Sequence, residues 1–212
     1  MKRRHPHHYF QLNLDLQGRP CLVVGGDGEA LEKTTRLVEC GARVTLVARK
    51  RLAAFGTLNR AKSLRIRDRA YRPGDERGMY FVINCVKTHP SMSMILYRRC
   101  VKQKILISSY DQPRYSTATM AALVRAGQMR IALSSDGAIP GLARKLRIEL
   151  ERVLDRTFVR FADWAAAYRE RMVAEGVSPD ERRRKLRDLL EGFHLNAICK
   201  YPRSFPKRSS SR

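Results

Sequence analysis

Apolar and polar positions change rhythm three times along the chain. Up to about Ser109, short and nearly continuous apolar runs alternate with amphipathic stretches. Val23-Val24 closes a first apolar run, Arg43 to Ala48 forms a second, and Tyr80 to Val86 and Ile105 to Ser109 form two more; Leu64 and Ile66 alternate with basic residues as in a half-exposed strand. Between the first two runs, Ala30, Leu31, Thr34, Leu37 and Val38 recur at helical spacing and Gly41 stops the pattern. Ser91 to Lys102 reads as another helix. Strand, helix and strand within about thirty residues make a βαβ unit with parallel strands, so this region predicts a small doubly wound α/β sheet whose ligands sit at the carboxyl ends of the strands.

Beyond Ser109 the rhythm shortens. Thr117 to Val124 and Met129 to Ser134 flank Arg125-Ala126-Gly127-Gln128 as the arms of a hairpin, and Pro140 suits the first turn of a helix through about Leu154. Phe158, Phe161, Ala165, Tyr168 and Met172 then follow at steps of four and three, the stripe of a helix packed on another helix, which Gly176 ends. Ser178-Pro179-Asp180-Glu181 is a capping box opening a last helix with Leu186, Leu189 and Leu190. No internal repeat is visible.

The most informative segment is Gly25-Gly26-Asp27-Gly28-Glu29-Ala30, where the first strand meets the first helix. Glycines there let the backbone approach a pyrophosphate, and the free N–H groups of a helix start favour its charge. Read as G-x-G-x-x-G/A from Gly25, the pattern carries Asp27 in place of its middle glycine, a carboxylate expected to repel the phosphates. A tight βα connection without a ligand is the plainer reading of an imperfect motif. The second strand ends in Arg49-Lys50-Arg51 rather than in the acid that binds a ribose diol, which by itself leans towards NADP.

Bulk composition narrows the class. The 212 residues, 43% hydrophobic, allow one ordinary domain and a smaller one. A formal charge of +23 favours a polyanionic partner: nucleic acid, an anionic membrane face or a small molecule with many carboxylates. Cys21, Cys40, Cys85, Cys100 and Cys199 form an odd set without a C-x-x-C pair and read as reduced, buried thiols of a cytoplasmic protein. No apolar run approaches the roughly 18 residues that span a bilayer, and no apolar signal region follows the basic start. His5, His7 and His8 read as solvated residues of a tail, His89 and His194 stand alone, and no metal ligand is assigned.

Four further segments stand in order: Leu14 to Pro20, Gly41 to Ala48, Tyr110-Asp111-Gln112-Pro113, and Ser134-Ser135-Asp136-Gly137 running on to Pro140-Gly141-Leu142-Ala143-Arg144. Together with the hairpin and the helical end, this order resembles the precorrin-2 dehydrogenase/sirohydrochlorin ferrochelatase family of siroheme synthesis, from about Leu12 to Gly192. The resemblance implies a Rossmann-like dinucleotide-binding domain over 9–112, a dimerisation segment over 113–152, a helical domain over 153–199, and mobile basic tails at 1–8 and 200–212. It implies a homodimer that oxidises precorrin-2 with NAD and, as in many members, inserts ferrous iron as a second substrate. Asp111 matches the family's catalytic aspartate; Gly25, Gly26, Gly28, Glu29, Arg49, Lys50 and Cys85 match the cofactor site; Ser134 and Ser135 match a loop near the tetrapyrrole. A carboxylate at a strand end is chemically suited to take the proton that leaves when a saturated macrocycle gives up a hydride. The octacarboxylate substrate suits the positive charge. Without the resemblance, Asp111 reads as a turn former ahead of Pro113, and the two serines as residues that open a helix.

The chain also departs from the family. Asp27 stands where three consecutive glycines are usual, Cys85-Val86-Lys87-Thr88 replaces an Ala-Thr-Asp-Asp-like stretch, and Asp136 replaces a loop glycine. Two alternatives follow: a catalytically weak relative that binds or delivers tetrapyrroles, and a basic nucleic-acid binder, for which no recognition helix or stacked aromatics are evident.

Overall fold

The computed structural model describes residues 9–58 and 63–202. The N-terminal tail, with His5, His7 and His8, and the end of the C-terminal tail lie outside them. The chain divides into two compact units, one running to Ala121 and taking in Asp136–Ala138, the other comprising Ala122–Ser135 and the residues from Ile139 on.

The first unit holds a five-stranded, all-parallel sheet of β1 (Pro20–Val24), β2 (Arg43–Val47), β3 (Leu64–Arg67), β4 (Phe81–Asn84) and β5 (Leu106–Ser109), in the order β3-β2-β1-β4-β5. Helix α1 (Gly28–Glu39) joins β1 to β2, and α3 (Pro90–Lys102) joins β4 to β5; a single-turn α2 (Phe55–Leu58) precedes β3. The doubly wound sheet read from the apolar runs is therefore present. β1 and β4 are buried along almost their whole length because helices and loops cover both faces, which is why they read as unbroken apolar runs rather than alternating ones. One core cluster gathers Val23, Ala30, Leu37, Leu46 and Phe55, and the other Leu22, Val82, Leu96 and Ile107.

The connection from β3 to β4 uses no helix. Two acids hold it instead. Asp75 accepts hydrogen bonds from Arg67 Nη1 (2.6 Å), Arg69 Nη1 and Nη2 (2.7 and 2.6 Å) and the Arg72 N–H (2.9 Å). Glu76, fully buried, accepts from Tyr71 Oη (2.7 Å) and the Gly74 N–H (2.9 Å) on one oxygen, and from Arg99 Nε (2.6 Å) and Gln103 Nε2 (3.2 Å) on the other. This loop thereby docks on α3.

The hairpin of the second unit is shorter than the sequence suggests, with β6 (Ala122–Ala126) and β7 (Met129–Leu133) antiparallel around Gly127-Gln128. Thr117 and Ala118 are not part of it, because their N–H groups donate to the Ile107 carbonyl (2.8 and 3.0 Å) and hold that stretch beside β5. Val124, Ala126 and Leu154 form the small core of this unit, against which Leu150, Phe158 and Val159 pack. Helices α4 (Pro140–Val153), α5 (Arg156–Ala174) and α6 (Pro179–Leu190) complete it. Ser178 caps α6 through the Glu181 N–H, as the capping box requires, and Asp155 caps α5 through the N–H groups of Thr157 and Phe158. Phe193 stacks on Phe161 (centroids 5.5 Å apart) and Trp164 on Tyr168 (6.2 Å). No helix among the described residues is long and apolar enough to cross a membrane.

Candidate functional site at the carboxyl edge of the sheet

Four loops leave the carboxyl ends of β1, β2, β4 and β5, and the strand order reverses between β1 and β4. A crevice at that reversal is where open α/β sheets bind their ligands.

The β1 loop is built for close approach. Gly25 has φ +129°, and a side chain there would meet Cys85 Cβ at 3.0 Å. A methyl group on Gly26 would lie 2.0 Å from the Lys50 carbonyl oxygen, so the main chain after β2 rests directly on the turn; the Leu52 N–H donates to the Gly26 carbonyl across the same contact (3.0 Å). Gly28, by contrast, faces open space at the first residue of α1. Asp27 is the N-cap of that helix, its Oδ1 accepting the Ala30 N–H at 3.0 Å. The carboxylate that breaks the glycine pattern thus satisfies one of the N–H groups that a phosphate would otherwise take, and it stands at the helix head. The turn, the open face at Gly28 and the start of a twelve-residue helix fit a dinucleotide, with the carboxylates of Asp27 and Glu29 as opposing groups.

Cys85 lies beneath the turn rather than beside it. It is buried against Gly25, and burial together with the Asp27 charge pushes its thiol up to about 12. Any contact of this residue with a ligand is through its main chain. Burial likewise raises Cys21 to about 11 and Cys100 to about 12; all five cysteines are free, but Cys40, at the end of α1, and Cys199, near the C-terminal end, are exposed rather than buried as expected.

Asp111 follows β5 by two residues and adopts a left-handed backbone (φ +56°). Its carboxylate Oδ2 receives Lys87 Nζ at 3.3 Å, and the same ammonium stands 4.7 Å from the centre of the Tyr110 ring. The hydrogen bond to Asp111 raises the Lys87 pKa, with the charges of Asp111, Tyr110 and Asp27 acting in the same direction. Tyr110 is raised in turn, chiefly by the charge of Glu29, with which it also hydrogen-bonds. Gln112 Nε2 donates to the Val86 carbonyl (3.1 Å) and ties the β5 loop to the β4 loop. Glu29, Lys87, Tyr110 and Asp111 therefore converge across the crevice from three strand ends.

Sequence reasoning noted Lys87 only as a departure and Tyr110 only as a neighbour. The signal that joins Lys87 to Asp111 is the strand register: Asn84 pairs with Ser109, which places residues three and two positions further on side by side.

Arg49 and Lys50 are exposed just beyond β2, and Arg51 is held by Asp68 (Nε to Oδ1 2.8 Å). Ser134 and Ser135 belong to the second unit, after β7. Ser135 Oγ accepts the Ile139 N–H at 3.1 Å, so its hydroxyl organises the turn into α4.

A family described as "Putative NAD(P)-binding" matches residues 12–122, the whole of the sheet with its loops. The chain belongs to this NAD(P)-binding family. Among curated proteins, the NAD(P)-binding chain is 33% identical over 156 residues to siroheme synthase 2 of Halorhodospira halophila, a match covering 73% of this chain and 31% of that one. It is 29% identical over 164 residues to siroheme synthase of Nitrosococcus oceani, covering 77% and 35%. The chain spans about a third of the length of the curated relatives it matches. The solved structure of SirC, precorrin-2 dehydrogenase, shares the fold at a TM-score of 0.76 and 21% identity, over 87% of this chain and 90% of that one. These matches agree with the resemblance read from the order of motifs.

Proposed function

We propose that the NAD(P)-binding chain oxidises precorrin-2 to sirohydrochlorin. The observation that carries this reading is a carboxylate, Asp111, held after β5 against Lys87 of the β4 loop, one strand from the strand-order reversal of a sheet whose first loop has the form of a dinucleotide cradle. The coenzyme, NAD on the resemblance, would be held over the β1 turn by Gly25, Gly26 and Gly28 and would supply the acceptor for the hydride that the macrocycle gives up. Asp111 takes the accompanying proton at Oδ2 or Oδ1, so two electrons and one proton pass to the coenzyme's ring while the second proton passes to the protein. Gly25, Gly26 and Gly28 leave room for the pyrophosphate, Glu29 and Tyr110 flank the crevice, and Arg49 and Lys50 edge it on the β2 side. Lys87 offers an ammonium to a substrate carboxylate beside the base. The loop with Ser134 and Ser135 is proposed as a substrate loop, the serines acting through main-chain geometry. Insertion of ferrous iron is proposed as a second activity on the resemblance, with Asp111 as acceptor of the pyrrole protons that iron displaces. The free thiols suit the cytoplasm.

Incubation of the purified chain with enzymatically made precorrin-2, with and without NAD, NADP and ferrous iron, tests the reading through the macrocycle spectrum. Coenzyme-dependent appearance of sirohydrochlorin is expected. Tight tetrapyrrole binding without oxidation would instead favour the non-catalytic relative, to which the Asp27 charge points.

A homodimer is proposed through the second unit. Leu142, Leu146 and Val153 lie along one side of α4 with Leu150 and are 58%, 44% and 42% exposed, a row of aliphatic side chains at helical spacing that a lone chain leaves to water. Leu146→Glu is expected to turn dimer into monomer in sedimentation experiments while leaving helix content unchanged; a wild-type chain that sediments as a monomer at micromolar concentration would refute this.

A further inference from the structure

Asn84 is the one polar residue of β4, and it is fully buried at the carboxyl end of the strand. A side-chain amide in such a place costs free energy unless both of its ends are bonded, and here both are bonded away from the sheet. Its Oδ1 accepts the Val86 N–H at 3.0 Å, and its Nδ2 donates at 3.0 Å to Ser93 Oγ, a hydroxyl of α3 that is itself fully buried. Ser93 Oγ stands 3.3 Å from the Val86 carbonyl and 3.4 Å from that of His89, so its proton lies between the two. Gln112 Nε2 donates to the same Val86 carbonyl at 3.1 Å. Val86 is thus held by its N–H and by its carbonyl, from β4, from α3 and from the β5 loop.

The next residue is Lys87. An exposed lysine on a free loop sweeps its ammonium through a wide volume, whereas one whose preceding peptide groups are fixed is confined to a narrower one. The Lys87 side chain is 51% exposed, and its Nζ stands 3.3 Å from Asp111 Oδ2 and 4.7 Å from the centre of the Tyr110 ring. Both of these partners ride on the loop that Gln112 clasps to Val86, and the Tyr110 N–H donates to the Asn84 carbonyl at 2.8 Å. The root of the lysine and the groups it meets are therefore set by the same two residues.

We infer that Asn84 and Gln112 are positioning residues: by fixing Val86 they set where the Lys87 ammonium stands relative to Asp111, and hence the orientation in which a carboxylate-bearing tetrapyrrole meets its proton acceptor. The inference rests on the proposed oxidation and deepens it. Both residues act through Lys87. A cation fixed beside the base holds one peripheral carboxylate and with it the angle of the whole macrocycle, which loosely held surface cations cannot do.

Steady-state oxidation of precorrin-2 by the full chain, compared in Lys87→Met, Asn84→Ala, Gln112→Met and the two double variants with Lys87→Met, tests this. Lys87→Met is expected to lower kcat about tenfold with little change in KM, as for a group that orients rather than captures. Asn84→Ala and Gln112→Met should each lower kcat by about threefold, and should do nothing further in the Lys87→Met background, because residues that act through one another are not additive. A merely structural defect would lower kcat equally in both backgrounds. Asn84→Ala also opens a cavity in the sheet, so where the two variants disagree the half-buried Gln112 decides, with a urea melt to show that its fold is kept. An unchanged kcat in Lys87→Met or Gln112→Met, a loss confined to KM, or an equal fall in both backgrounds overturns the inference and leaves the oxidation reading standing. Absence of turnover by the native chain overturns the two together.

Discussion

Replacing Asp111 by asparagine is expected to lower kcat/KM for precorrin-2 by about 10²–10⁴-fold, the range set by removing a general base from its transition state. Asparagine is the informative substitution because the backbone here is left-handed, φ +56°, a region that asparagine and aspartate tolerate and that alanine enters only at a cost. The variant therefore keeps the loop while losing the proton acceptor. Its effect on stability is expected to be small. The Lys87 to Asp111 pair is exposed on both sides, and exposed pairs of that kind contribute little to stability. Steady-state turnover together with a urea melt checks both statements, and an asparagine variant that retained more than about a tenth of the native rate would fall short of the general-base range and remove Asp111 from the role.

The largest loss of stability is expected far from the crevice. Glu76→Gln should destabilise the chain by about 3 kcal/mol, read as a fall in the urea midpoint, because four donors converge on a buried carboxylate and an amide has only one oxygen to offer them. Whichever way the amide turns, its NH₂ group faces two donors, and Arg99 is left without its counter-charge. The same network fixes a pH dependence. Burial alone would raise the Glu76 pKa, but the hydrogen bonds from Tyr71, from main-chain N–H groups and from Arg99 reverse this and hold it near about 2. The hydrogen bond from Arg69 does most of the same for Asp75, also held near about 2. Both values lie below those of the unfolded chain, so the stability these acids contribute is complete above about pH 5 and is lost as pH falls towards 2. Urea midpoints measured at about pH 6, 4 and 3 are expected to decline steadily in the native chain and less in Glu76→Gln; parallel declines would show that the network is not the acid-labile element.

The sheet was legible because its strands are short, apolar and bounded by turn residues, and because a strand covered on both faces has no polar positions to confuse the pattern. Gly25–Ala30 and Asp111 could be placed at strand ends for the same reason. The β3 to β4 connection was not legible. Across Pro73-Gly74-Asp75-Glu76-Arg77 nothing in a one-dimensional pattern tells a solvated acid from one that four donors will surround. The partnership of Lys87 and Asp111 was hidden because it depends on the register of β4 against β5, which is set by packing and not by any local motif. Thr117 and Ala118 continue the short apolar run into the hairpin, but their N–H groups donate to the Ile107 carbonyl of β5 rather than to a hairpin partner.

The clasp from Gln112 to the Val86 carbonyl makes one platform of the two loops that carry Lys87 and Asp111. On the proposed chemistry, the proton acceptor then starts each cycle occupied by an internal cation, and it is released when a polyanionic guest offers that cation a better carboxylate. Guests stripped of their peripheral acids would enter and leave without freeing it. Discrimination among tetrapyrroles would thus be exercised in the rate of conversion more than in the strength of capture.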